Sequence, residues 1–248
     1  MTAVSRNPPA THVPPPPIGI AESLAVFGGA GVLLYVATRG LIPVLVQSTG
    51  MLPLLAWFLA GGFGVFLPLL VIAWGLMRSE PARSFSQLWV ERFRFRPMNT
   101  GDWGAAIAAL AAVLLLSASI LKLIQWSRPD ASLHPDFLTI EPLTPGTLWI
   151  LAVWIPFFVL NIACEEILWR GVVQPRQESR FGRGAWLVHG AGWLLFHIPF
   201  GLPILLTVAP TVWIIPWTVQ RRQNSWIGVI VHAGLNGLGF LAVAAGLA

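Results

Sequence analysis

The chain has 248 residues, of which 56% are apolar and only 10% charged, against roughly 25% charged in an ordinary soluble domain. So few charges cannot cover a soluble globule, and a mean hydropathy of +0.73 spreads the apolar excess along the whole chain, so lipid is the solvent for most of it. The net charge of +5 does not point to nucleic acid, because the 14 Arg and one Lys stand in short stretches between apolar runs, and the single Cys, Cys164, excludes a disulfide framework or a multi-cysteine metal site within one chain.

Residues 1–19 open with Pro8, Pro9 and the run Pro14 to Pro17, a composition that predicts an extended, disordered cytoplasmic tail rather than a cleavable signal peptide. A bilayer core takes about 20 helical residues. The 38 uncharged residues between Arg39 and Arg78 are too many for one span, and Thr49, Gly50 and Pro53 mark the turn between helices predicted at 20–46 and 52–77. The basic segment 78–102 follows. Its five Arg from Arg78 to Arg96, with Trp89, Phe93 and Phe95, suit an interfacial amphipathic helix with Arg on lipid phosphates, or a loop that serves topology alone. Further apolar runs lie between Asp102 and Lys122, Glu141 and Glu165, Arg183 and Arg221 (divided at Gly201 and Pro203), and Gln223 and Ala248.

The prediction is therefore an all-α, polytopic transmembrane bundle of about seven or eight spans, with N-terminal membrane helices in 20–140 and a core in 141–248. The fifth and sixth spans, about 17 residues each, would form a tilted or re-entrant hairpin. With residues 1–19 inside, twelve Arg fall on cytoplasmic segments and only Arg39, Lys122 and Arg128 outside, so the positive-inside rule puts the N terminus in the cytoplasm and the C terminus outside. No internal repeat supports an inverted-repeat transporter.

Ionisable groups inside a span cost about 2.5 to 3.5 kcal/mol each on insertion scales, so each needs a reason. The fourth span ends Asn161-Ile-Ala-Cys-Glu165-Glu166-Ile-Leu-Trp-Arg170. Adjacent carboxylates point about 100° apart on a helix. Glu166 and Arg170, at i and i+4, can pair along one face, which leaves Glu165 facing elsewhere. The fifth span carries His189, near its cytoplasmic boundary and so read as interfacial, and His197; the seventh carries His232 and Asn236. Helical rise places Glu165, His197, His232 and Asn236 in one slab, about 8 to 18 Å from the cytoplasmic ends of their spans. A carboxylate, two imidazoles and an amide at one depth can activate a water and stabilise an oxyanion. The plainer alternatives are a self-neutralising Glu166–Arg170 pair and interhelical hydrogen bonding by His and Asn.

The three patterns together, Glu165-Glu166-x-x-x-Arg170, Trp193-x-x-x-His197 and His232-x-x-x-Asn236, resemble the CPBP family of glutamate-type intramembrane proteases, related to the CAAX-processing endopeptidases and to bacteriocin-processing and immunity proteins. The second motif usually reads Phe-x-x-x-His, and Trp193 departs from it while keeping the aromatic. The resemblance covers about 145 to 240. It implies an endopeptidase in which Glu165 and His197 deprotonate a water, His232 and Asn236 hold the oxyanion, and Glu166, Arg170 and Trp193 order the site or orient substrate. It implies no cofactor, and the chain has no His-Glu-x-x-His, Gly-x-Ser-x-Gly or Gly-x-Gly-Asp. The partners it implies are a peptide or membrane-protein substrate, such as a C-terminal tail or a lipidated peptide, and membrane lipid, and the Arg-rich, Ala- and Gly-rich composition suits a bacterial inner membrane. Two other classes stay open at this stage: a metal-dependent hydrolase, since Glu with two His can also bind zinc, and a non-enzymatic immunity or chaperone protein.

Overall fold

A computed structural model describes residues 14–78, 80–81, 84–130, 134–138 and 140–247. The expected tail lies outside the described residues over 1–13, as does Arg83; residues 14–19 run extended, with Ile18 buried and its N–H donated to the Arg176 carbonyl at 3.3 Å. Among the described residues there is no strand, and six helices are long and apolar enough to cross a membrane. They are α1 (Ile20–Thr49), α2 (Pro53–Met77), α3 (Thr100–Ser127), the 47-residue run Ile150–Phe196, α6 (Leu202–Arg222) and α7 (Trp226–Ala244). As read from the sequence, α1 stops at Gly50, which takes the left-handed φ of 69°, and Pro53 opens α2 at a position where a missing N–H costs nothing. The Asn99 side chain accepts the Asp102 N–H and Asp102 returns a bond to the Asn99 N–H, a reciprocal cap that starts α3.

The helix count of about seven differs from six because of the run Ile150–Phe196. That run is not straight. Residues twelve apart on a helix are about 18 Å apart, yet His189 Nδ1 lies 2.7 Å from Gln177 Oε1, so the chain folds back. The reversal falls at Gly182, φ 54° and ψ −128°, and divides the run into α4 (150–181) and α5 (Ala185–Phe196). At 12 residues α5 is short, and the chain turns again at Gly201 into the 21-residue α6. Antiparallel pairing of α3 with α6 is fixed at both levels, by Arg222 Nε on Asp102 Oδ1 (2.8 Å) near one surface and by Ser117 Oγ on the Thr207 carbonyl (2.7 Å) deeper in.

Two arginines of the basic segment turn to carboxylates of the protein itself. Among the segment's described residues one short helical stretch, with a wide turn over Gln87–Arg92, interrupts it, and Arg92 and Arg94 are held by the carboxylates of Glu80, in the same segment, and of Glu178 on α4. Arg92 grips Glu80 with two bonds of 2.7 Å and donates to the Gly171 carbonyl, and Arg176 joins the same Glu80 at 2.6 Å. Arg94 makes a two-pronged bond to Glu178, both arms 2.8 Å. Its backbone sits at φ 62°, an unusual conformation for a side chain of that size, and Ser225 fixes it by bonding the carbonyls of Phe93 and Arg94. With Phe93 and Phe95 buried, residues 92–96 close over the arginine-rich end of the bundle.

Candidate active site

Helix α4 carries the two charged motif positions as neighbouring stripes of i, i+4 residues. One stripe is Asn161, Glu165 and Trp169; the other is Glu166, Arg170 and Gln174. A wide, π-type turn over Ile167–Val173 begins immediately after Glu166, the kind of local irregularity that recurs at functional sites.

Glu165 is 2% exposed and accepts three N–H donors: Asn161 Nδ2 on Oε1 at 2.8 Å, and the indoles of Trp169 (3.1 Å) and Trp193 (2.9 Å) on Oε2. Both lone pairs of Oε2 are then occupied, while Oε1 keeps one for a further donor. Asn161 also accepts Asn236 Nδ2 at 3.1 Å, so an amide relay runs from α7 through α4 to the carboxylate. Glu166 is fully buried between two cations or potential cations: its Oε1 faces His232 Nδ1 at 2.9 Å and its Oε2 faces Arg170 Nε at 3.2 Å. The Arg170 guanidinium stacks over the Trp193 ring, 3.6 Å from its centroid.

His197 Nδ1 is 2.8 Å from the Trp193 carbonyl. A carbonyl only accepts, so Nδ1 carries the proton and Nε2 presents a lone pair. The same logic applied to the Glu166 carboxylate puts a proton on Nδ1 of His232. Two glycines allow this packing. A Cβ on Gly228 of α7 would collide with Glu166 Oε2, and one on Gly192 of α5 would collide with the Phe27 ring, which stacks on Trp169 at 4.4 Å.

Glu165, His197, His232 and Asn236, predicted on three separate spans, line one cavity of about 410 Å³ together with Asn161. Glu166, Arg170 and Trp193 lie behind that wall and do not line it. His189, read as interfacial, is fully buried and bonded to Gln177, which in turn bonds Ser23. Asn161 and Trp169 had no assigned role; their signal was their i−4 and i+4 spacing from Glu165. Among the described residues no group of three or more His, Cys, Asp or Glu side chains is arranged to hold a metal ion.

A protein-family model, described as type II CAAX prenyl endopeptidase Rce1-like, matches residues 147–238 and so spans all three motifs. No curated protein and no solved structure matches the chain significantly. Taken with the six apolar helices, the match describes a multi-pass integral membrane protein whose residues 147–238 are similar to the Rce1-like endopeptidases, consistent with a CPBP-family protease.

Proposed function

We propose that this protein is a glutamate-type intramembrane endopeptidase, working without a metal, that hydrolyses a peptide bond with a water held between Glu165 and His197. The observation that carries the reading is the polarity of the hydrogen bonds. Glu165 Oε1 and His197 Nε2, both on the wall of the same cavity, each retain an unused lone pair, which is what a water nucleophile requires. As the water attacks, its proton passes to this pair and a negative charge develops on the carbonyl oxygen. Asn236 has a second Nδ2 proton beyond the one given to Asn161, and His232 donates from Nε2 in its imidazolium form, whose charge Glu166 Oε1 faces directly. Collapse of the tetrahedral intermediate returns the proton to the leaving amine. Glu166 and Arg170 are positioning residues in this scheme, since neither lines the cavity.

The substrate is a peptide or a membrane protein; the Arg-over-Lys, Ala- and Gly-rich composition favours a bacterial inner membrane, and the arginine distribution favours an N terminus in the cytoplasm. The test is Glu165→Gln, which keeps the size of the side chain and removes the base. Purified in detergent or reconstituted, it should cleave a peptide library at least about a thousandfold more slowly than the parent, within the range that loss of a general base produces, while its thermal unfolding stays close to the parent's. Unchanged turnover would end the hydrolase reading.

A further inference from the structure

The distribution of the cavity-lining residues along their helices is one-sided. On α4 the wall runs from Glu165 back through Asn161, Phe158 and Phe157 to Trp154; on α7 it runs from His232 forward through Asn236 and Phe240 to Val243. Both directions lead to the same end of the bundle, where Leu138 and Ile140 of the 128–149 connection complete the wall. Eleven helical residues separate Glu165 from Trp154, so the cavity reaches about 16 Å from the carboxylate toward that face. On α6 the lining residues Ile204, Thr207 and Val208 likewise stand at the end away from Arg221 and Arg222.

Toward the arginine-rich end the path is closed. Glu166, Trp169, Arg170 and Gln174 are fully buried beneath the site, and beyond them the Glu80–Arg92–Arg176 cluster and the 92–96 segment cover the helix ends. A second hollow of about 630 Å³ lies at that end, bounded by Leu70, Trp74, Met77, Arg78, Leu88 and Phe93 among others, and it shares no lining residue with the first.

We infer that the scissile segment reaches Glu165 from the face that carries the 128–149 connection, which the arginine distribution places outside the cytoplasm, and that this segment is an uncharged, apolar stretch of peptide. The inference rests on the hydrolase reading above. Among the described residues the wall holds nine Phe and Trp rings and no Lys, Arg or Asp, so a charged side chain entering it would lose its hydration, with Glu165 alone to offset the cost for a cation. Apolar and aromatic residues on the substrate would be accepted by the same wall.

Access can be read independently of turnover. Ser117→Cys and Leu235→Cys place a thiol on the cavity wall, Ser86→Cys places one on the exposed basic segment, and the parent, whose Cys164 is buried, is the blank. A small, uncharged but membrane-impermeant sugar-bearing methanethiosulfonate is applied to sealed right-side-out and inverted vesicles. Thiol reaction follows exposure, so the two cavity cysteines should react about tenfold or more faster in right-side-out vesicles, and Ser86→Cys faster in inverted ones. Reaction of the cavity cysteines from the Ser86 side, or from neither side, overturns the inference. In a second arm, single-span reporters present an apolar segment on one face or the other. Glu165-dependent cutting of the outward reporter alone is expected, and cutting of the inward one overturns it. Cleavage that survives Glu165→Gln counts against the hydrolase reading, not against the side of access.

Discussion

Trp193 stands where the resembling family usually has Phe, and its indole N–H is one of two on Glu165 Oε2. The substitution Trp193→Phe keeps an aromatic ring and the backbone carbonyl that fixes His197, and deletes that N–H. A hydrogen bond to a charged group is worth about 1.5 to 3 kcal/mol. At about 1.4 kcal/mol per tenfold, losing this one should slow a step that depends on the orientation of Glu165 by about 10- to 150-fold. The smaller ring also withdraws part of the surface beneath Arg170. Because Trp193 does not line the cavity, the loss should appear in kcat, with KM nearly unchanged. Steady-state cleavage of a fluorogenic apolar peptide by the reconstituted protein, alongside Trp169→Phe, measures this. A Trp193→Phe protein with the parent's kcat, or one impaired through KM alone, would refute the idea that the indole holds the base in place.

Glu166→Ala should leave Arg170 buried without its counter-ion and lower stability by about 3 to 5 kcal/mol, measured by denaturant unfolding in mixed micelles. Gly192→Ala should drive a methyl into the Phe27 ring and cost about 1 to 3 kcal/mol, visible as a lower melting temperature with cleavage retained at low temperature. Glu80→Ala removes the carboxylate shared by Arg92 and Arg176, two buried cations, and should destabilise by about 3 kcal/mol or more, with faster proteolysis of the 78–99 segment in inverted vesicles.

The membrane bundle and the convergence of Glu165, His197, His232 and Asn236 were legible because charge is so scarce in this chain that every buried polar residue stands out. The donors on Glu165 were less so. Trp169 is one of thirteen tryptophans, most of which suit an interfacial belt, and nothing in composition separates a belt indole from one that binds a carboxylate. Asn161 carries no charge and attracts notice only through its spacing. Counting from Arg183 gives His189 a depth near the boundary but not its neighbours, and the reversal at Gly182 brings α5 back along α4 so that His189 is buried against Gln177. The pairing of Arg94 in the basic segment is not legible for a different reason: Glu178 is 84 residues away, and periodicity reports only local order.

The closure of the arginine-rich end has an electrical consequence. Water admitted to the cavity from the opposite face is far more polarisable than the packed layer beneath it, so little of the transmembrane voltage falls along the cavity. Most of the drop is then concentrated across the packed layer between Glu165 and the 92–96 segment, where Glu166 and Arg170 sit. Each unit charge moved across a full 100 mV exchanges about 2.3 kcal/mol with the field. The negative charge that develops on the carbonyl oxygen as water attacks therefore appears at the edge of a steep potential, and an energised membrane and a collapsed one present the same site with different electrostatics.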